Sequence, residues 1–201
     1  MEYDEKNWRE RMGLPEKEEY TVDDIMALPE DIRAELIDGV IYGMAAPNYR
    51  HQKIVIKLAS SLDNHVTKNH GGCEVLAAPF GVFLNDGKNF LEPDIVVICD
   101  KGKISDRGCE GAPDLVVEII SESTKKRDYG LKLLKYRTAG VREYWVINPV
   151  TNVVMVYNFD DENQNDQYAF SDLITSHVLE DYTVCINEIL GETQVNEIPD
   201  S

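Results

Sequence analysis

The sequence predicts an α+β fold, a central mixed β-sheet flanked by helices, and three observations carry that expectation. From about His51 to Asn69 the apolar residues fall at helical period. Several short apolar runs bounded by Gly, Pro, Asn and Asp are too brief for helices and read as strands. The two kinds succeed one another as helix, hairpin, long helix, strands, helix, strands, which is the order of a mixed sheet with helical layers.

Thr21-Val22-Asp23-Asp24 has the hydroxyl-then-acid form of a capped helix start, so a short helix is expected over about 22–28, closed by Pro29. Asp38-Gly39, between Arg33–Ile37 and Val40–Met44, is the strongest short hairpin signal available, and it puts Glu35 on the first strand. Ile54, Val55, Leu58, Leu62 and Val66 then define a long amphipathic helix that Gly71-Gly72 should stop. Val75 to Leu84 reads as one strand and Asn85-Asp86-Gly87 as a turn. Two runs that begin with Pro-Asp follow, Glu92-Pro93-Asp94-Ile95-Val96-Val97-Ile98 and Pro113-Asp114-Leu115-Val116-Val117-Glu118-Ile119-Ile120, joined by a polar connection at 100–112. Proline suits a strand start, where a missing N–H costs least.

A second helix should run from about Lys126 to Thr138 and close at Gly140, with Asp128, Lys132 and Tyr136 on one stripe and Leu131 and Leu134 pointing elsewhere. Glu143–Ile147 and Val153–Tyr157 make two more strands around Asn148-Pro149. The tail holds an Asp/Asn-rich loop at 158–167 and then apolar segments near Val178 and from Cys185 to Leu190, expected as an edge hairpin and a short cap.

The bulk numbers agree. A chain of 201 residues with 43% hydrophobic and 28% charged content fits one globular domain over 1–201, with a core at about 20–190 and acidic ends. The acidic N-terminus lacks a basic segment followed by an apolar run, and no stretch approaches a membrane span, so a soluble cytoplasmic protein is expected. Cys73, Cys99, Cys109 and Cys185 stand at irregular spacings without a C-x-x-C pair, which argues against a zinc ribbon or a disulfide framework and for buried free thiols.

Net charge is −17, which taken alone argues against nucleic acid. Its distribution changes that inference. Residues 1–35 hold 12 acids and 5 bases and residues 158–201 hold 11 acids and no base, so the stretch 36–157 is close to neutral. Within it, 124–142 carries Lys125, Lys126, Arg127, Lys132, Lys135, Arg137 and Arg142 against Asp128 alone, a segment that suits a phosphate-bearing partner or a solvated helix face.

If the two Pro-Asp runs pair as antiparallel neighbours, the start of one lies beside the end of the other, and Asp94 meets Glu118 at a sheet edge. Asp114 falls at the far end, roughly 13 Å from Glu118, and reads as a turn former, as Asp128 reads as a helix N-terminal acid. Two carboxylates at neighbouring strand ends suit one Mg²⁺ or Mn²⁺, with the Ile119 carbonyl as a third oxygen ligand. Such an ion polarises a phosphoryl oxygen and acidifies a bound water. A lysine is the remaining need, to orient that water. Two residues beyond Glu118, where it would share the strand face, stands Ile120; the nearest replacement is Lys132 on the following helix. His51 at the head of the long helix either faces the cleft or lies in solvent. No H-E-x-x-H, G-x-S-x-G, Walker or dinucleotide motif is present.

Glu35-Leu36-Ile37-Asp38-Gly39, Ala46-Pro47 with His51, Glu92-Pro93-Asp94, Pro113 through Ser121, Asp128 with Lys132 and Tyr136, Ala139-Gly140-Val141 and Glu143-Tyr144-Trp145 together resemble the Uma2 family of bacterial proteins, over about Tyr20 to Leu190. That family is similar to PD-(D/E)XK restriction endonucleases. The resemblance implies a restriction-endonuclease-like core with Asp94 and Glu118 as metal ligands, the catalytic lysine displaced to Lys132, and roles near the site for Glu35 and His51. The expected function is Mg²⁺- or Mn²⁺-dependent hydrolysis of DNA phosphodiesters, with Lys125, Lys126 and Arg127 holding the backbone. The rivals are a catalytically inactive binding or regulatory dimer on the same fold and a hydrolase of another phosphate ester. Exposed strand edges and the acidic, apolar tail suggest a homodimer.

Overall fold

The computed structural model describes residues 16–192 apart from Glu30, His70, Asn85, Glu122 and Ser123. The acidic N-terminal segment, the last nine residues of the acidic tail, and Asn85 of the expected turn therefore lie outside the described residues. Thr21 caps α1 (Val22–Met26) with the expected box: its hydroxyl accepts from the Asp24 N–H, and the Asp24 carboxylate accepts from the Thr21 N–H. β1 (Ala34–Ile37) and β2 (Val40–Gly43) form the expected hairpin, with Asp38 and Gly39 both at positive φ, 51° and 75°. α2 (Tyr49–Lys68) starts at an Asn48 cap and buries Ile54, Val55, Leu58, Leu62 and Val66, all five residues of the helical stripe. It ends at Asn69, and neither Gly71 nor Gly72 supplies a left-handed cap.

The expected strand from Val75 to Leu84 is two strands in different sheets, β3 (Glu74–Ala77) and β4 (Val82–Phe83). The chain changes sheet across Ala78-Pro79-Phe80-Gly81, where Pro79 has no N–H for a ladder and a Cβ on Gly81 would lie 2.5 Å from the Phe90 ring. β5 (Phe90–Leu91) precedes β6 (Ile95–Ile98), and the connection at 100–112 carries a small hairpin of its own, β7 (Ile104–Ser105) with β8 (Gly108–Glu110). After β9 (Leu115–Ile119), a π-helical turn over Arg127–Lys132 runs into α3 (Leu133–Ala139), which Gly140 closes at φ 94°. β10 (Glu143–Asn148), β11 (Val153–Asn158), β12 (Asp166–Ala169), the hairpin β13 (Ile174–Thr175) and β14 (Thr183–Val184), and α4 (Ile186–Leu190) complete the chain.

Two six-stranded sheets result where one was expected. The larger runs β12-β11-β10-β9-β6-β3 and is mixed, with β9 and β10 parallel; the second runs β2-β1-β5-β4-β8-β7. α2 and the C-terminal segment cover one face of the larger sheet, where Leu58 and Leu62 pack with Val97, Val117 and Trp145. The second sheet and α3 cover the other, where Ile37, Leu91 and Tyr136 meet Val96, Val116 and Ile120. Because both faces of β9 are buried, its side chains read as a continuous apolar run, and the one polar member, Glu118, stands out.

Cys73 and Cys99 correct the free-thiol expectation. They lie one rung beyond the Glu74–Ile98 pair of β3 and β6 and are joined by a disulfide. Cross-strand register sets them side by side, which a spacing of 26 residues does not reveal. Cys109 and Cys185 are buried and free, as expected.

Candidate active site

β6 and β9 pair antiparallel with Ile95 opposite Val117 and Val97 opposite Leu115. One further rung sets Asp94 against Glu118, as the sequence predicts. Each leading aspartate then closes the pair at its own end. Asp94 Oδ2 accepts the Ile119 N–H at 2.7 Å, and Asp114 Oδ2 accepts the Cys99 N–H at 2.7 Å. Asp114 is thus a structural cap at the far edge. The same register places Pro93 opposite Ile119, and proline has no N–H to give, so the ladder offers the Ile119 carbonyl no donor at that rung.

Lys132 arrives from the helix that follows. Its ammonium lies 2.8 Å from Glu118 Oε1, 2.7 Å from Glu35 Oε1 and 3.6 Å from Asp128 Oδ1. Tyr136, one turn on, donates its hydroxyl to Glu118 Oε1 at 2.8 Å. Ile120 is buried in the apolar core on the face of β9 that carries Glu118. The π-helical turn matters to this arrangement. With roughly 4.4 residues per turn, side chains four and five positions before Lys132 flank it, whereas in an α-helix the fifth would point about 140° away. Asp128 and Arg127 hold those positions, and both line the cleft.

That cleft measures about 380 Å³ and is walled by the loop 43–48, the first turn of α2, Ala78-Pro79 and the strand ends. Glu35, Asp94, Glu118 and Asp128 line it against Lys132 and Arg127, a formal excess of two negative charges. Four of the five buried side-chain polar atoms without a hydrogen-bond partner among the described residues belong here: Glu35 Oε2, His51 Nδ1, Arg127 Nε and Asp128 Oδ1. Glu143, an equally buried glutamate elsewhere in the fold, shows the contrast. It accepts from Trp145 Nε1, Ser176 Oγ and the N–H groups of His177 and Val178, and has nothing left to offer a ligand.

Burial pushes the Glu118 carboxyl well above the usual carboxylate range; Lys132 pulls it down, and the charges of Asp128, Glu35 and Asp94 push it up again. Asp128 is raised for the same first reason. Burial works against the Lys132 ammonium, but Glu118, Glu35 and Asp128 outweigh it and hold the lysine charged. Burial and the Glu118 charge keep the Tyr136 hydroxyl protonated, hence a donor. Among the described residues no group of three His, Cys, Asp or Glu side chains is arranged as a ready-made metal cage. The oxygen set is instead two carboxylates and a carbonyl, and the second oxygens of Asp94 and Glu118 accept no hydrogen bond from a described residue.

Of the expected site residues, Asp94, Glu118, Lys132, Glu35, His51 and Ile119 all line this cleft. His51 Nε2 sits 3.2 Å from Asp94 Oδ2, so it faces the cleft. Lys125 and Lys126 are exposed, while Arg127 turns inward. Asp128, expected as a helix-start acid, is instead 2% exposed beside Lys132. The i, i+4 spacing to Lys132 was its one sequence signal. Arg33 and Glu92, which form an ion pair at 2.6 Å on the cleft wall, had none beyond the Glu92-Pro93-Asp94 run.

A family model described as "Putative restriction endonuclease" matches residues 21–185. The chain belongs to the Uma2 family. This Uma2 protein is 27% identical over 129 residues to an uncharacterized protein from Synechocystis, covering 64% of this chain and 67% of that one. It shares its fold with a crystal structure from Anabaena variabilis described as "a putative nuclease belonging to DUF820": TM-score 0.70 at 21% identity, over 86% of this chain and 98% of the other. No helix among the described residues of this Uma2 chain is long and apolar enough to cross a membrane.

Proposed function

We propose that this Uma2 protein is a Mg²⁺- or Mn²⁺-dependent endonuclease that hydrolyses DNA phosphodiesters. The observation that carries the reading is the Lys132 ammonium, held 2.8 Å from Glu118 at the strand end that also carries Asp94. The residues fit a hard divalent cation: two carboxylates each with an oxygen to spare, a backbone carbonyl facing proline, and an excess of two negative charges. Asp94, Glu118 and the Ile119 carbonyl would hold the ion. The chemistry it supplies there is polarisation of a phosphoryl oxygen and acidification of a water.

The chain's own groups do the positioning. Glu35 and Glu118 fix Lys132 by two short ion pairs, and the third N–H, with Asp128 only at 3.6 Å, is left to donate to an attacking water or a phosphate oxygen. Tyr136 holds the Glu118 carboxylate in one rotamer, and Ile119 N–H with His51 does the same for Asp94. Lys125 and Lys126, exposed beside the cleft, meet the DNA backbone, so binding should weaken steeply as salt rises.

Plasmid nicking in Mg²⁺ or Mn²⁺ tests the reading, with Asp94→Asn and Lys132→Ala as partners; nicking that survives Asp94→Asn assigns the activity elsewhere. The burial of Lys132, 3% exposed among acids, favours a second reading in which the fold binds without turnover. Calorimetric titration with Mn²⁺ separates the two: no heat at millimolar ion supports the inactive module. Turnover of a small diester without DNA cleavage would support another phosphate ester. Light scattering tests the homodimer that belongs to either reading.

A further inference from the structure

We propose that Arg127 is the phosphate clamp of the cleft, its guanidinium receiving the anionic oxygens of a bound phosphodiester. The proposal deepens the endonuclease reading and rests on it for the identity of that diester. Four basic side chains line the cleft: Arg33, His51, Arg127 and Lys132. Arg33 donates twice to Glu92, Lys132 is held by Glu118 and Glu35, and His51 lies against Asp94. The Arg127 side chain, unlike those of Arg33 and Lys132, makes no hydrogen bond to a described residue. That side chain is 14% exposed, its Nε is buried without a partner, and the carboxylate oxygen Glu35 Oε2 stands 3.8 Å from that nitrogen.

A guanidinium N–H is costly to bury unmet, and 3.8 Å is attraction without a hydrogen bond. Two features keep it there. The Tyr42 ring supports its flat face, with Arg127 Cζ 5.0 Å from the ring centroid. The π-helical turn rotates the side chain toward Lys132, when an α-helix would aim it away. A planar fork of N–H groups, fixed in orientation beside the strand-end carboxylates, matches two oxygens of one phosphate in a way that an ammonium does not. Lys125 and Lys126, exposed on the preceding turn, lack that fixation.

The experiment titrates ¹⁵N-labelled protein with bis(p-nitrophenyl) phosphate, with and without Mg²⁺, and follows the arginine Nε–Hε resonances. The Arg127 resonance is the one missing from the Arg127→Lys spectrum. It should shift saturably; Arg127→Lys should bind the diester at least about five-fold more weakly, since it keeps the charge and loses the fork. Lys68→Ala, at the far end of α2, should bind as wild type. An Arg127 resonance that stays still in both conditions, whatever else moves, overturns the proposal, as does Arg127→Lys affinity within about two-fold of wild type. Diester binding at Arg127 in a protein that never nicks DNA keeps the clamp and sinks the endonuclease. Nicking unchanged in both Arg127→Lys and Arg127→Ala does the reverse.

Discussion

Lys132→Met removes the charge at the centre of the cluster while keeping an unbranched apolar stem, and its cost should depend on pH. In the wild type, Glu35, Asp94, Glu118 and Asp128 stand against Lys132 and Arg127; the variant leaves Arg127 alone with four acids. Removing one partner of a buried ion pair costs about 3–5 kcal/mol. Lys132 serves two carboxylates within 2.8 Å, so the upper half of that range is expected at pH 7. At pH 5 the folded variant has another option, because Glu118 and Asp128 already hold their protons above the usual range. Between the unfolded and folded pKa values the folded state binds more protons, so stability falls as pH rises through that window, by about 1.4 kcal/mol per proton per pH unit. Because Lys132 pulls the Glu118 carboxyl down in the wild type, the variant takes up that proton more readily than the wild type does, and its deficit should be smaller at pH 5 than at pH 7. Urea unfolding followed by circular dichroism at pH 5, 6 and 7 measures this. A deficit equal at pH 5 and pH 7 would refute the reasoning, since it would mean that the lysine stem and not its charge supports the fold.

Three further outcomes are expected. Tyr136→Phe deletes the second donor to Glu118 Oε1 and should cost about 1.5–3 kcal/mol in the same urea assay, because the acceptor is a buried carboxylate; an unchanged midpoint would show that Lys132 suffices. Mn²⁺ should raise the melting temperature more at pH 8 than at pH 5.5, since protons on Glu118 and Asp128 compete with the cation, and Asp94→Asn should abolish the gain; a shift independent of pH would place the ion elsewhere. Gly140→Ala forces a side chain onto φ 94° at the end of α3 and should cost about 1 kcal/mol, or roughly 2–4 °C by calorimetry; no loss would mean that the helix end relaxes.

The legible parts of the chain were those where local chemistry and tertiary structure agree. Ile54 through Val66 needed only a helical period, because one face of α2 meets an apolar sheet. Asp38-Gly39 needed only its positive φ angles. The Asp94–Glu118 pair followed from strand polarity, and Lys132 from the face it shares with Tyr136. What escaped was set by departures from regular geometry. Val75 to Leu84 carries no mark that its two ends pair in different sheets. Asp128 sits where a helix-start acid belongs, and the π-helical turn, which leaves no compositional trace, seats it and Arg127 on either side of Lys132.

Residue order alone settled the mixed α+β class, the long helix, the two Pro-Asp strands and the acids at their shared edge, since those depend on periods, turns and proline, all local properties. Only the tertiary structure decided that Glu35 from the second sheet completes the coordination of Lys132, that Cys73 meets Cys99, and that Arg127 turns into the cleft with its Nε donor unmet. Each of these joins segments distant in the chain or rests on a local irregularity, and their energy comes from burial and charge in a shared low-dielectric space that no single segment creates.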